Sequence, residues 1–472
     1  MKVLLTGATG YIARRLLPVL LAEGHEVICC VRDAARFDTS RFRTDLLSVI
    51  TVNFLDSDTL SVIPEDIDAA YYLIHSMSST VGEFDKMEKQ SAENFRERMN
   101  VTRVKQVIYL SGIVNTESLS RHLGSRKTVE VELLKGKYHL TTLRAGIILG
   151  SGSASFEIIR DLVEKLPVMV APRWLKTRSQ PIAVQNVIEY LSGVLMREDT
   201  FDNNYDIGGP DILTYREMLL RFAAVRNLRR KIWVVPVMTP KLSSYWLYFV
   251  TSTSYKLAVN LVDSMKVEVI CRENDLHERL GIKLMGYDEA VRNAFERIEQ
   301  QAVPSSWTDA LSLPLLERGL SDLVKVPVFG CFHDIRKKAV NDEHAVLDRI
   351  WSIGGKTGWY YASWLWGIRG FMDKLSGGVG LRRGRKNDNE ISPGDALDFW
   401  RVLYADREEK RLLLYAEMKL PGEAWLEWKI EDKTLVQTAT FRPLGLKGRL
   451  YWYSVMPFHE LIFRGMIKRI TS

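Results

Sequence analysis

Lys2 to Ala13 reads KVLLTGATGYIA, and no other stretch narrows so far the folds open to this chain. The apolar run Val3-Leu4-Leu5 stops at Thr6-Gly7, and Gly10 and Ala13 follow at three-residue spacings before a long amphipathic run. The pattern is a strand, a tight turn and a helix start. A strand that turns directly into a helix aims unpaired N–H groups and the positive dipole end at one point, which suits a pyrophosphate. Gly7 can take positive φ in the turn, Gly10 lets backbone approach phosphate, and the small Ala13 lets helix and strand pack closely. A second strand at 26–31 supplies the context that this spacing requires.

Through residue 150 strands and helices alternate, which predicts an α/β fold with a Rossmann-type, doubly wound parallel sheet. Further strands are expected at 49–52, 70–74, 107–110 and 141–144. The first helix carries Ile12, Leu16, Leu17, Leu20 and Leu21 on one face and stops at Gly24. At the end of the second strand an NAD-preferring fold has Asp or Glu, which accepts from the ribose hydroxyls and repels a 2′-phosphate. Here Val31 is followed by Arg32. A guanidinium pairs bidentately with phosphate, so NADP(H) is expected over NAD(H), with Arg36 as a second candidate and a plain surface arginine as the competing reading.

TGATGYIA (6–13), AAYYLIHSM (69–77), VIYLSGI (107–113), LRAGIILGSG (143–152), QPIAVQNV (180–187) and YDIGGPDILTY (205–215) together resemble the atypical short-chain dehydrogenase/reductases of the NmrA-like branch. The resemblance covers residues 1 to about 300. It implies that Gly7, Thr9, Gly10, Tyr11 and Ile12 contact the cofactor and that Asp56 meets the adenine, although Asp56 also suits a helix N-cap. It further implies that Ser111 orients a substrate carbonyl and that His75 faces the nicotinamide. Active relatives use a Tyr-x-x-x-Lys pair. The matching helix here is RHLGSRKTVEVELL, which puts His122 and Arg126 at those positions. A shifted alignment, Leu123 with Lys127, has no proton donor. Arg126 can bind ribose or phosphate but cannot lose a proton, whereas His122 is either an acid near neutral pH or an exposed helix residue.

With 472 residues, two or three domains are expected, and a net charge of +7 spread along the chain excludes an extended nucleic-acid surface. The one dense basic run, Arg382-Arg383-Gly384-Arg385-Lys386, reads as a solvated loop. Cys29, Cys30, Cys271 and Cys331 lack metal-ligand spacing, and no metal is expected. Thr6-Gly7 interrupts the first apolar run after three residues, so no secretory leader is expected and a cytoplasmic location is. Ser244 to Met265 is aromatic and apolar but carries Lys256, Asn260 and Asp263, which favour a core or pocket lining over a membrane-surface segment.

Nine of the twelve tryptophans follow residue 300, which marks a second domain. The expected division is 1–300, a linker at 301–322 and a domain at 323–472. Strands are expected at 413–420, 424–431 and 434–441, with Ala424, Leu426, Trp428 and Ile430 on one dry face. A final helix opens at Pro457, with Phe458, Ile462, Met466 and Ile470 on one side. This α+β pattern resembles the START-like helix-grip (SRPBCC) superfamily. IWSIGGKTGWYYASWLWGIRG (350–370), GDALDFWRVL (394–403) and AEMKLPGEAWLEW (416–428) resemble a domain of unknown function that often follows NmrA-like domains. The resemblance implies a cavity for an apolar ligand; a filled core is the alternative.

Three functions are compatible with these patterns. The chain is an NADP(H)-dependent oxidoreductase acting on an apolar small molecule, an NADP(H) sensor without turnover, or a lipid-like ligand carrier. The altered Tyr/Lys pair favours the sensor; Ser111 and a ligand-type second domain favour the enzyme.

Overall fold

A computed structural model describes residues 1–32, 37, 42, 44–74, 84–113, 121–235, 259, 262, 265–299, 326, 331–355, 357–375 and 390–472. These residues divide into two compact units, one ending at 299 and the other beginning at 326. The expected linker at 301–322 lies outside them.

In the first unit β1 (Lys2–Leu5) leads into α1 (Ala13–Ala22), followed by β2 (Glu26–Val31), β3 (Leu47–Thr51) and β4 (Ala69–Tyr72). Helix α2 (Phe84–Met99), β5 (Gln106–Gly112), α3 (Arg121–Leu133) and β6 (His139–Ala145) come next. Helices α4 (Ala154–Lys165) and α5 (Val184–Gly193) precede β7 (Asn204–Ile207), α6 (Tyr215–Val225) and α7 (Tyr287–Glu299) follow, and short strands between 148 and 235 pair in three two-stranded sheets beside the main one. The seven strands form one sheet in the order β7-β6-β5-β4-β1-β2-β3, every pairing parallel. Such a sheet is covered on both faces, which is why its inner strands are apolar runs rather than alternations. Val3 and Leu5 join a core with Leu16, Leu17, Leu20 and Leu191, while Leu4 joins a second with Tyr72, Phe95 and Leu133. Helix α1 ends as its sequence predicts. Gly24 has φ +79°, and the His25 amide donates to the Leu20 carbonyl at 3.1 Å.

Apart from β2, strand boundaries differ from expectation by one or two residues, because pairing with a neighbour rather than apolar content decides where a strand ends. Leu73 and Ile74 thus fall beyond β4, at the mouth of the sheet.

The second unit contains β8 (Phe332–Ala339), α8 (Glu343–Trp351), α9 (Ser363–Leu375), β9 (Ala396–Leu397), β10 (Trp400–Asp406), β11 (Arg411–Ala416), β12 (Gly422–Glu431), β13 (Thr434–Pro443) and α10 (Gly445–Ile470). Its strands form an antiparallel sheet in the order β8-β13-β12-β11-β10-β9, and α10 packs against β13 and β8. Two expectations need correction. Strand β11 stops at Ala416 instead of Leu420, where the Lys419 amide turns to the buried Asp373 carboxylate at 2.7 Å. On the other face of β12, Trp425 is buried with Leu403, Leu413 and Tyr415. The last helix starts at Gly445, and Pro457 lies inside it. Pro457 is exposed, and so is Phe458, whereas Ile462, Met466 and Ile470 are buried. Packing at both ends outweighs the one backbone bond that proline removes.

The interior beneath α10 is crowded with aromatic rings: Trp359, Trp366, Phe399 and Trp400 lie within 5.0 to 6.4 Å of one another where they pair. Two polar contacts fix its geometry. Arg401 and Glu417, both fully buried, form an ion pair at 2.9 Å, and the Trp359 indole donates to Asp398 at 2.7 Å.

Candidate functional site

The loop between β1 and α1 is built around Gly7, whose φ is +63°. A Cβ there would lie 2.7 Å from the Leu73 carbonyl oxygen, so both the angle and the neighbour demand glycine. Thr6 ties the ends of β1 and β4 together: its amide and hydroxyl donate to the Tyr71 carbonyl at 3.1 and 2.9 Å, and the hydroxyl accepts from the Leu73 amide. The Gly10 amide closes the turn on the Gly7 carbonyl at 2.7 Å. Helix α1 then begins with no capping side chain and no acidic residue in its first turn. Its N-terminal positive end therefore carries no internal counter-charge, the condition under which a phosphate is stabilised there.

Tyr11 has a different part from Gly7 and Gly10. Its ring lies 3.9 Å from the Arg15 guanidinium, and a Cβ on Gly150 would come within 2.6 Å of its phenol oxygen. Arg15, itself buried, donates to the Tyr11 carbonyl at 3.1 Å and to the Ser151 carbonyl at 2.7 Å. These contacts lock the phosphate loop to the chain at 150–151. Arg15 went unnoticed in the sequence, although its place four residues after an aromatic on a helix start was the available signal.

Arg32 stands at the end of β2, exposed, with no hydrogen bond or ion pair to any described residue. Protein crowded around it lowers its pKa, yet a guanidinium stays charged at neutral pH. Arg36 lies outside the described residues. Asp56 caps the short 3-10 turn Ser57–Val62, accepting from the Asp58 amide at 3.2 Å, so its N-cap role is present. Thr9 and Ile12 are half-buried in the loop.

At the end of β5 the fold brings Ser111 and Arg126 together. Ser111 is buried, and its hydroxyl lies near enough to the Tyr109 phenol two positions back to act on it as a hydrogen-bond partner, although the two do not reach full hydrogen-bond geometry. Arg126, on α3, donates to the Leu110 carbonyl at 3.3 Å, and its own carbonyl accepts from Tyr109. Burial pushes the Tyr109 phenol up to about 12 against the opposing pull of Arg126, so Tyr109 stays protonated at neutral pH. His75 lies outside the described residues. The backbone of His122 and Leu123 belongs to α3, but their side chains lie outside the description. Lys127 is exposed. One turn after His122, Ser125 donates to the buried Glu88 of α2, a contact that sequence patterning did not predict.

The donor set fits a nicotinamide dinucleotide: a glycine loop that a Cβ would obstruct, an uncapped helix start and a buried hydroxyl of incomplete hydrogen bonding at the adjoining strand end. Among the described residues no group of three or more His, Cys, Asp or Glu could hold a metal ion.

Residues 7–142 match the family model described as NAD(P)H-binding. The first unit carries an NAD(P)-binding Rossmann domain. Residues 331–466 match the model for DUF2867, a protein family of unknown function. Among solved structures the chain is similar to a nucleoside-diphosphate-sugar epimerase from Staphylococcus aureus, with 13% identity over 62% of this chain and 100% of that one and a TM-score of 0.51. It is similar also to an epimerase from Methanothermobacter thermautotrophicus, with 13% identity over 63% and 93% of the two chains and a TM-score of 0.50. Likeness at this identity concerns the fold of the Rossmann domain alone. No curated protein matches the sequence. Among the described residues no helix is long and apolar enough to cross a membrane.

Proposed function

We propose that the chain is an NADP(H)-dependent oxidoreductase of the NmrA-like type that acts in the cytoplasm on the carbonyl, or the corresponding alcohol, of an apolar small molecule. The Ser111 hydroxyl carries this reading. A buried hydroxyl whose hydrogen bonding is left incomplete costs ~1–3 kcal/mol, and in this reading a ligand at the strand end completes it. In this reading Gly7, Thr9, Gly10, Ile12 and the backbone of Tyr11 hold the pyrophosphate, Arg32 the 2′-phosphate, Asp56 the adenine and Arg126 the ribose or a phosphate.

When bound, the nicotinamide supplies or accepts the hydride. Ser111 donates a hydrogen bond to the substrate oxygen and sets its angle. His75 or His122 passes the proton, because Arg126 cannot lose one. The second unit, read as a helix-grip domain, holds the apolar substrate.

The second reading, an NADP(H) sensor without turnover, is favoured by one observation. On the alignment that sets His122 and Arg126 against the Tyr-x-x-x-Lys pair, the lysine is replaced by Arg126, whose guanidinium is tethered to the Leu110 carbonyl. NADPH oxidation with quinones, enones and long-chain carbonyls, measured for wild type and Ser111→Ala, tests the two. An enzyme loses on the order of 10²-fold in rate in the variant while its NADPH affinity holds. A wild type that binds NADPH and is silent with every compound is the sensor.

A further inference from the structure

Helix α9 (Ser363–Leu375) has two opposed faces, and the outward one is the unusual one. At about 100° per residue, Trp364, Ile368, Phe371 and Leu375 fall in one narrow stripe with Met372 at its edge. All five are exposed, Trp364 at 67% and Leu375 at 62%. Diametrically opposite, Trp366, Gly370 and Asp373 are buried, and Trp366 packs against Trp359 and Phe399. The fold thus holds α9 by one side and presents aromatic and aliphatic side chains to water on the other. Each exposed side chain of this size forgoes about 1.5–3 kcal/mol of burial, and contiguous patches of this kind mark interaction surfaces.

Charge on the same helix identifies the occupant. Arg369 and Lys374 fall on either side of the apolar stripe, each roughly 60° from its edge, and the Arg369 guanidinium donates to the Lys419 carbonyl at 3.5 Å; long cationic side chains so placed can lay their stems along apolar surface and keep their charge at a polar boundary. The one carboxylate of α9, Asp373, is turned inward and accepts from the Lys419 amide at 2.7 Å. Seven residues after Leu375 the sequence continues Arg382-Arg383-Gly384-Arg385-Lys386. An apolar stripe edged by cations, with no acid on its outward side, is the pattern of a helix lying in a membrane interface. A two-fold contact between copies would instead bring two sets of the same cations to one rim. We propose that α9 seats the second unit on an anionic phospholipid surface, inserting Trp364, Ile368, Phe371 and Leu375 below the headgroups. This inference does not rest on the catalytic reading.

Flotation of the full-length protein with phosphatidylcholine vesicles containing roughly 30% phosphatidylserine, and with pure phosphatidylcholine, tests it. Wild type is expected to float with the anionic vesicles, less at high salt, and a Trp364→Ser/Phe371→Ser variant to lose about tenfold or more of the bound fraction. Both side chains are solvent-exposed, and near-UV circular dichroism checks that the variant is folded. As a second readout, brominated lipid should quench wild-type tryptophan fluorescence more than that of Trp364→Phe. Failure of wild type to float overturns the proposal, as does flotation unchanged by the substitutions. A dimer that the same substitutions dissociate, without flotation of wild type, would assign the face to self-association.

Discussion

Replacing Arg32 by alanine isolates one contact, because the guanidinium has no hydrogen bond or ion pair to any described residue whose loss would confuse the result. Its removal should leave stability within ~0.5 kcal/mol, as for other surface substitutions. A charged hydrogen bond is worth about 1.5–3 kcal/mol, and the access of water to the Arg32 side chain places the expected value at the lower end. At about 1.4 kcal/mol per tenfold, NADPH binding should weaken roughly 10- to 30-fold. NADH lacks the 2′-phosphate, so its affinity should change less than about twofold. Fluorescence titration of both cofactors against wild type and variant measures all four constants, and the ratio of ratios gives the coupling directly. Raising the ionic strength should shrink the wild-type preference. If Arg32→Ala kept the wild-type preference for NADPH, the assignment of Arg32 to the 2′-phosphate would be wrong.

Two further outcomes follow from local geometry. Gly7→Ala puts an L-residue at φ +63°, a cost of ~1–2 kcal/mol, and sets its Cβ 2.7 Å from the Leu73 carbonyl; thermal unfolding should fall by several degrees and NADPH titration should show binding abolished. In the second unit, burial between Trp452 and Phe463 pushes His459 down to about 4, with Asp334 opposing and Arg336 reinforcing the shift. The unfolded chain takes up that proton near pH ~6.5 and the folded chain only near 4, so the unfolded state binds more protons in this window and stability falls as the pH drops through it. His459→Phe should flatten that part of the pH–stability curve of the full-length protein; an unchanged slope would mean that other groups dominate.

The sequence by itself determined the Rossmann half. Contiguous residues suffice for a strand, a positive-φ glycine and an uncapped helix start, because each is a property of backbone angle and local hydrogen bonding over a dozen residues. The end of α1 at Gly24 and the missing acid after β2 were legible for the same reason. The second unit was less so. Strand β8 and helices α8 and α9 were not predicted, and the start of α10 was put twelve residues late, because Pro457 is a strong local stop signal that long-range packing of Trp452, Phe463 and Met466 overrides.

Only tertiary structure decided which side chains meet. Arg15 and Ser151, 136 positions apart, become hydrogen-bonded neighbours through the chain segments that follow β1 and β6. Arg126 reaches the end of β5 because α3 packs back on that strand. The outward stripe of α9 carries the same lesson. Its side chains are as apolar as those of a core, but burial depends on what the fold sets against a face, which no single segment encodes.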